Sequence, residues 1–172
     1  MVEYRNEWKH EISYCDMLTI RQRKGDLKNL CVAIVGDISH SRVARSTATA
    51  LQTLGVGELR FVSPASLAPE ADEFQGAKRC TSLEDGIRSA DVIMALRIQK
   101  ERMDQSQIPD VDAFLKEWGI TERRILHANK GAIVLHPGPM NRGVKITSEV
   151  ADGPHSAILE QVGQGVAVRM AV

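Results

Sequence analysis

The run Cys31-Val32-Ala33-Ile34-Val35 is apolar at every position, rich in β-branched side chains and closed by Gly36. Such a run is the signature of a strand covered on both faces of a parallel sheet, so it predicts a central strand. Over residues 42–54 the period changes: Val43, Ala44, Ala50, Leu51 and Leu54 recur at helical spacing, and Gly55 supplies a stop. Residues 59–62 predict a second strand, residues 82–89 a short helix opened by a Ser-x-x-Asp capping pattern, and residues 91–96 a third strand. Residues 111–118 read as a helix ended by Gly119, residues 132–136 as a further buried strand, and residues 17–24 as a lead-in helix stopped at Gly25. A final helix over about 155–170 places Ile158, Leu159, Val162 and Val166 on one face, with Gly163 and Gly165 weakening it. This alternation predicts an α/β fold, a doubly wound parallel sheet flanked by helices in a single Rossmann-like domain.

Composition narrows the class of partner. With 43% hydrophobic and 26% charged residues, the 172-residue chain reads as globular, with one real core. Lys plus Arg and Asp plus Glu number 22 each, so no global field selects nucleic acid or an anionic membrane, and anion binding has to be local. Cys15, Cys31 and Cys80 are widely spaced, with no C-x-x-C pair to suggest zinc or a disulfide framework. Glu3, Arg5, Glu7 and Lys9 interrupt the amino-terminal stretch, and no apolar run reaches the ~18 residues of a membrane span. The expectation is a cytoplasmic protein with neither nucleic acid nor membrane as partner.

In open α/β sheets ligands sit beyond the carboxyl ends of strands, so candidate chemistry is sought there. The first strand runs into Gly36-Asp37-Ile38-Ser39-His40-Ser41-Arg42. Its single glycine lacks the G-x-G-x-x-G spacing that admits a pyrophosphate, which argues against dinucleotide binding. Arg42 opens a helix, where a cation opposes the helix dipole; a solvated arginine has to explain that location, an anion-binding one does not. The strand over 91–96 runs into Arg97-Ile98-Gln99, whose alternation puts Arg97 and Gln99 on one side. That pair suits a carboxylate, though an ordinary charged loop is the alternative. The strand over 132–136 ends in His136-Pro137-Gly138-Pro139-Met140-Asn141-Arg142-Gly143, an irregular backbone that presents carbonyl groups to an amine or amide. His136 alone reads as a structural histidine.

Taken in order, these segments resemble the second domain of aspartate carbamoyltransferases. The resemblance runs from about residue 16 to the end: Leu18-Thr19-Ile20-Arg21, Val32-Ala33-Ile34-Val35-Gly36-Asp37, Ser41-Arg42-Val43-Ala44-Arg45-Ser46, Arg97-Ile98-Gln99, His136-Pro137-Gly138-Pro139 and Gly165-Val166-Ala167-Val168-Arg169-Met170. Ornithine enzymes of the wider family carry His-Cys-Leu-Pro and a Ser-Met-Gly type loop at the corresponding places. The resemblance implies that Arg42 binds the α-carboxylate of L-aspartate and that Arg97 with Gln99 binds its side-chain carboxylate. It places Pro137 and Gly138 beside the reacting amine and the carbamoyl phosphate, and implies a cis peptide before Pro139. The implied reaction makes carbamoyl-aspartate for pyrimidine synthesis, with no metal or organic cofactor. The implied assembly is a homotrimer, in parts of the family joined by regulatory or dihydroorotase-like chains.

The family's first domain contributes a Ser-Thr-Arg-Thr phosphate cradle and a His-Pro-Thr-Gln segment. Here the positions before Thr19-Ile20-Arg21 that correspond to the latter hold Lys9-His10-Glu11-Ile12. The expectation is a divergent extension over 1–14, an aspartate-binding domain over 15–172, and no carbamoyl phosphate domain, so that carbamoyl phosphate is bound only with a separate first domain. Two functions stay open: a carbamoyltransferase chain that is not competent alone, and a non-catalytic module that binds aspartate or docks on a partner.

Overall fold

The computed structural model describes residues 11–70, 73–98, 111–137 and 146–171. Its strands β1 (Cys31–Val35), β2 (Glu58–Val62), β3 (Lys78–Cys80), β4 (Val92–Ala95) and β5 (Ile133–Leu135) form one sheet in the order β3-β2-β1-β4-β5. All pairings between these strands are parallel. The continuous apolar runs dictate the centre of this arrangement, since β1 and β4 are buried at every position.

Seven helices flank the sheet in the described residues: α1 (Glu11–Lys24), α2 (Arg42–Thr53), α3 (Leu83–Ile87), α4 (Val111–Trp118), α5 (Glu122–Ile125), α6 (Ser148–Ala151) and α7 (Ile158–Ala171). Alternate strand residues feed two cores, as the two-residue period of a strand requires. On one face Val32, Ile34, Phe61 and Met94 pack with Met17 and Ile20 of α1 and Ala44, Ala48 and Leu51 of α2. On the other, Ala33, Val35, Val62 and Ile93 pack with Leu83 and Ile87 of α3, Phe114 and Trp118 of α4, Ile125 and Val150. The doubly wound α/β architecture expected from the patterning is therefore the one observed.

Three differences have local causes. The edge strand β3 was not predicted, because Lys78 and Arg79 face solvent and only Cys80 is buried, leaving no apolar run to read. The four-residue helices α5 and α6 are too short to show a period. The last helix begins at Ile158, because the three residues before it extend the sheet: Val134 N–H donates to His155 O at 2.7 Å and Ala157 N–H to Val134 O at 3.0 Å.

The face of α7 differs more. Ile158 is buried as expected, but Leu159, Val162 and Val166 are 84%, 67% and 63% exposed. The side toward α1 instead carries Gln161, Gln164, which donates to Gln22 Oε1 at 2.7 Å, and Gly165, where an added Cβ would lie 3.8 Å from Cys15 Sγ. Apolar periodicity identified the stripe but not which side of the helix the sheet and α1 would cover.

Close approach also governs α3. A Cβ on Gly86 would lie 2.5 Å from both γ carbons of Val62 in β2. Gly86→Ala is expected to cost about 1–3 kcal/mol by overpacking. Urea denaturation measures it, and an unchanged midpoint would show that Val62 moves aside freely.

Candidate functional site

β1, β4 and β5 end level with one another. Val35 pairs with Ala95 and Met94 with Leu135, and Leu96 N–H extends the ladder by donating to Val35 O at 2.8 Å. At roughly 4.8 Å between neighbouring strands, the ends of β1 and β5 are about 10 Å apart. The chain leaves β1 by α2 across one face and reaches β4 through α3 on the other, so the ends of β1 and β4 flank the topological switch point of the sheet.

Each of these three ends carries a residue singled out from the sequence. Arg42 is the first residue of α2 and exposed; Ser41 caps the helix by accepting from Ala44 N–H at 3.1 Å. Arg97 follows β4 by two residues and is partly buried, while Pro137 follows β5 by two and is buried. The fold thus brings Arg42, Arg97 and Pro137 to one edge of the sheet. Gln99, Gly138 and the peptide before Pro139 lie outside the described residues.

The turn from β1 to Arg42 is built from polar groups that were not given roles in the sequence reading. Gly36 sits at φ 123°, a conformation that a side chain would strain. Asp37, with no side-chain exposure, accepts from His40 N–H at 3.3 Å, and its Oδ1 lies 2.9 Å from His40 Nδ1. Ser39 Oγ lies 3.0 Å from that same nitrogen. Arg45, one turn into α2, donates to Ser39 O at 2.7 Å and pairs with Glu73. The acid that ends a wholly apolar strand was the visible signal; its ring of partners, formed by a tight turn, was not.

Beneath the edge lies a second buried acid. Asp16 of α1 accepts from Thr47 Oγ1 of α2 at 3.0 Å and from Gln161 Nε2 of α7 at 2.5 Å. Burial pushes its carboxyl up to about 7, against the lowering effect of these two hydrogen bonds. Gln161 Oε1 in turn accepts from the backbone N–H of His136 at 3.1 Å.

Other groups are less suited to chemistry. Burial pushes the Cys31 thiol up to about 11 and raises that of Cys80, which removes both as thiolate nucleophiles near neutrality. A cavity of about 330 Å³ lies against Ile125, Leu126, Val150 and His155, and one of about 390 Å³ against Phe61, Ser63, Arg79 and Cys80. Neither is lined by Arg42, Arg97 or Pro137.

The chain is thus a doubly wound α/β domain with an arginine on each side of its switch point. Residues 28–172 match the family described as aspartate/ornithine carbamoyltransferase, Asp/Orn binding domain, and the chain belongs to that family. Solved structures of carbamoyltransferases share the fold. An ornithine carbamoyltransferase from Thermus thermophilus superimposes with a TM-score of 0.81 at 20% identity, covering 94% of this chain and 53% of that one. One from Pyrococcus furiosus gives 0.79 at 21% identity, with 94% and 54% covered. The aspartate transcarbamoylase of Trypanosoma cruzi in complex with N-(phosphonacetyl)-L-aspartic acid gives 0.79 at 24% identity, with 94% and 53% covered. The chain spans about half the length of these structures.

Proposed function

We propose that this chain is the aspartate-binding half of an aspartate carbamoyltransferase, working with a half that binds carbamoyl phosphate. The observation that carries the reading is the convergence of three strand ends bearing Arg42, Arg97 and Pro137 at the switch point of a family amino-acid domain. L-Aspartate brings two carboxylates; Arg42 and Arg97 supply two cations, and Gln99 an amide. Ornithine brings one carboxylate and a second amine, which two arginines would repel.

In this reading Arg42 takes the α-carboxylate, and Arg97 with Gln99 takes the side-chain carboxylate. The neutral amine is thereby directed at the Pro137–Gly138 backbone. Its lone pair attacks the carbamoyl carbon, a tetrahedral intermediate forms, the carbon–oxygen bond to phosphate breaks, and the amine proton leaves with phosphate. Holding the amine still is this chain's contribution, through proximity and orientation. The dianionic phosphate calls for donors on the other half.

Titration calorimetry with L-aspartate and with L-ornithine tests the specificity. Arg97→Ala is expected to weaken aspartate binding by about 1.5–3 kcal/mol, the range for a hydrogen bond to a charged group. Equal affinity of wild type and Arg97→Ala removes Arg97 from the site, and a preference for ornithine overturns the aspartate assignment. The exposed stripe on α7 also favours a second reading, a non-catalytic module that docks on a partner. Aspartate binding without turnover in every assembly would select it.

A further inference from the structure

The outer edge of β5 is completed by a side chain. In a parallel strand, residues two apart direct their N–H groups to the same side, and Val134 N–H is taken by His155 O at 2.7 Å. The next N–H on that side belongs to His136, beside which no further strand lies among the described residues. Gln161 reaches down from α7 and accepts it at 3.1 Å. A backbone N–H can only donate, so Gln161 must present its oxygen there and its NH₂ group to the other side. That NH₂ meets Asp16 Oδ1 at 2.5 Å, and Asp16 Oδ2 accepts from Thr47 Oγ1 at 3.0 Å. Asp16, Thr47, Gln161 and His136 are all buried.

We propose that Asp16 and Gln161 are positioning residues that hold the His136–Pro137 turn at a set distance from the helix bearing Arg42. The chain of hydrogen bonds runs from α2, through α1 and α7, to the end of β5. Thr47 is five residues beyond Arg42 on the same helix, so the two ends of the chain are the two sides of the candidate site. Asp16 sets the amide: either of its oxygens accepts, which keeps the Gln161 oxygen facing His136. If Asp16 takes up a proton, the Thr47 hydroxyl can rotate to accept it, and the amide keeps its orientation. The positions Asp16 and Gln161 are 145 residues apart, so α1 and α7, from opposite ends of the described chain, jointly support one turn. This inference rests on the amino-acid-binding reading of that turn given above.

Amide hydrogen exchange on the isotope-labelled full chain tests it, with Val134 as the internal control because its N–H is held by backbone on the same strand edge. Gln161→Leu is expected to speed exchange at His136 by about tenfold or more relative to Val134, the loss of one buried hydrogen bond. L-Aspartate affinity should fall by a similar factor of about ten. Asp16→Asn, whose side-chain oxygen still faces Gln161 while its NH₂ meets Thr47, should retain the wild-type ratio of the two amides. Exchange at His136 and Val134 that rises together in Gln161→Leu, or does not change, overturns the proposal. So does a loosened His136 with wild-type aspartate affinity. If the wild-type chain binds no aspartate, the assignment of the site fails, and the ratio of the two amides still decides whether Gln161 holds the turn.

Discussion

Asp16→Asn is expected to make the folded chain more stable by up to about 4 kcal/mol above pH 8 while leaving it nearly unchanged at pH 4. The folded state holds the Asp16 proton more tightly than the unfolded chain, because burial raises its carboxyl from 3.8 to about 7. Stability from this group is therefore complete below about pH 4. It declines as pH rises between the two values, and is lowest above the folded value, where the chain must bury a charge. About three pH units at roughly 1.4 kcal/mol each set the size of the effect. Asparagine keeps both hydrogen bonds with no charge to bury, so the gain of the variant should follow the same rise with pH. Urea denaturation of both proteins from pH 4 to 9 measures the difference directly. A difference independent of pH would mean that the Asp16 carboxyl holds its proton no more tightly in the folded chain than in the unfolded one, as it would if solvent reached it.

That buried acid also marks the limit of what the amino-acid sequence discloses. β1 and β4 are legible because both faces of each are covered and the apolar run is unbroken. Arg42, Arg97 and Pro137 are legible because, once those strands are identified, the topology puts their carboxyl ends at the switch point. Asp16 reads as one more polar position in a helix whose apolar pattern is weak, since its partners Thr47 and Gln161 lie 31 and 145 residues away. Nothing local distinguishes a buried carboxyl from a solvated one. The same absence of long-range information misassigned α7: Leu159, Val162 and Val166 follow a helical period, which says that they share a face and not what covers it. β3 escaped for the opposite reason, as an edge strand whose polar residues Lys78 and Arg79 meet solvent.

The outward stripe of α7 leads to the prediction with the largest effect. The purified chain is expected to form no detectable carbamoyl-aspartate from carbamoyl phosphate and L-aspartate. Adding the separately produced carbamoyl phosphate half of an aspartate transcarbamoylase is expected to raise turnover by more than about a thousandfold. Removing a single donor that stabilises developing negative charge costs roughly a hundred- to a thousandfold, and a dianionic leaving group needs several. The docking face in this reading is Leu159, Val162, Val166 and Met170 of α7 with Tyr14 of α1, all exposed in the chain alone. Apolar side chains aligned along one helix recover the hydrophobic contribution only when a partner covers them. Val166→Lys places a charge in the middle of that face at a position 63% exposed, so its own stability should change by no more than about 0.5 kcal/mol. Mixed with the other half, it should show the turnover of the chain alone. Wild-type turnover by the Val166→Lys mixture would move the docking face elsewhere, and turnover by the unmixed chain would mean that the phosphate donors are already present in it.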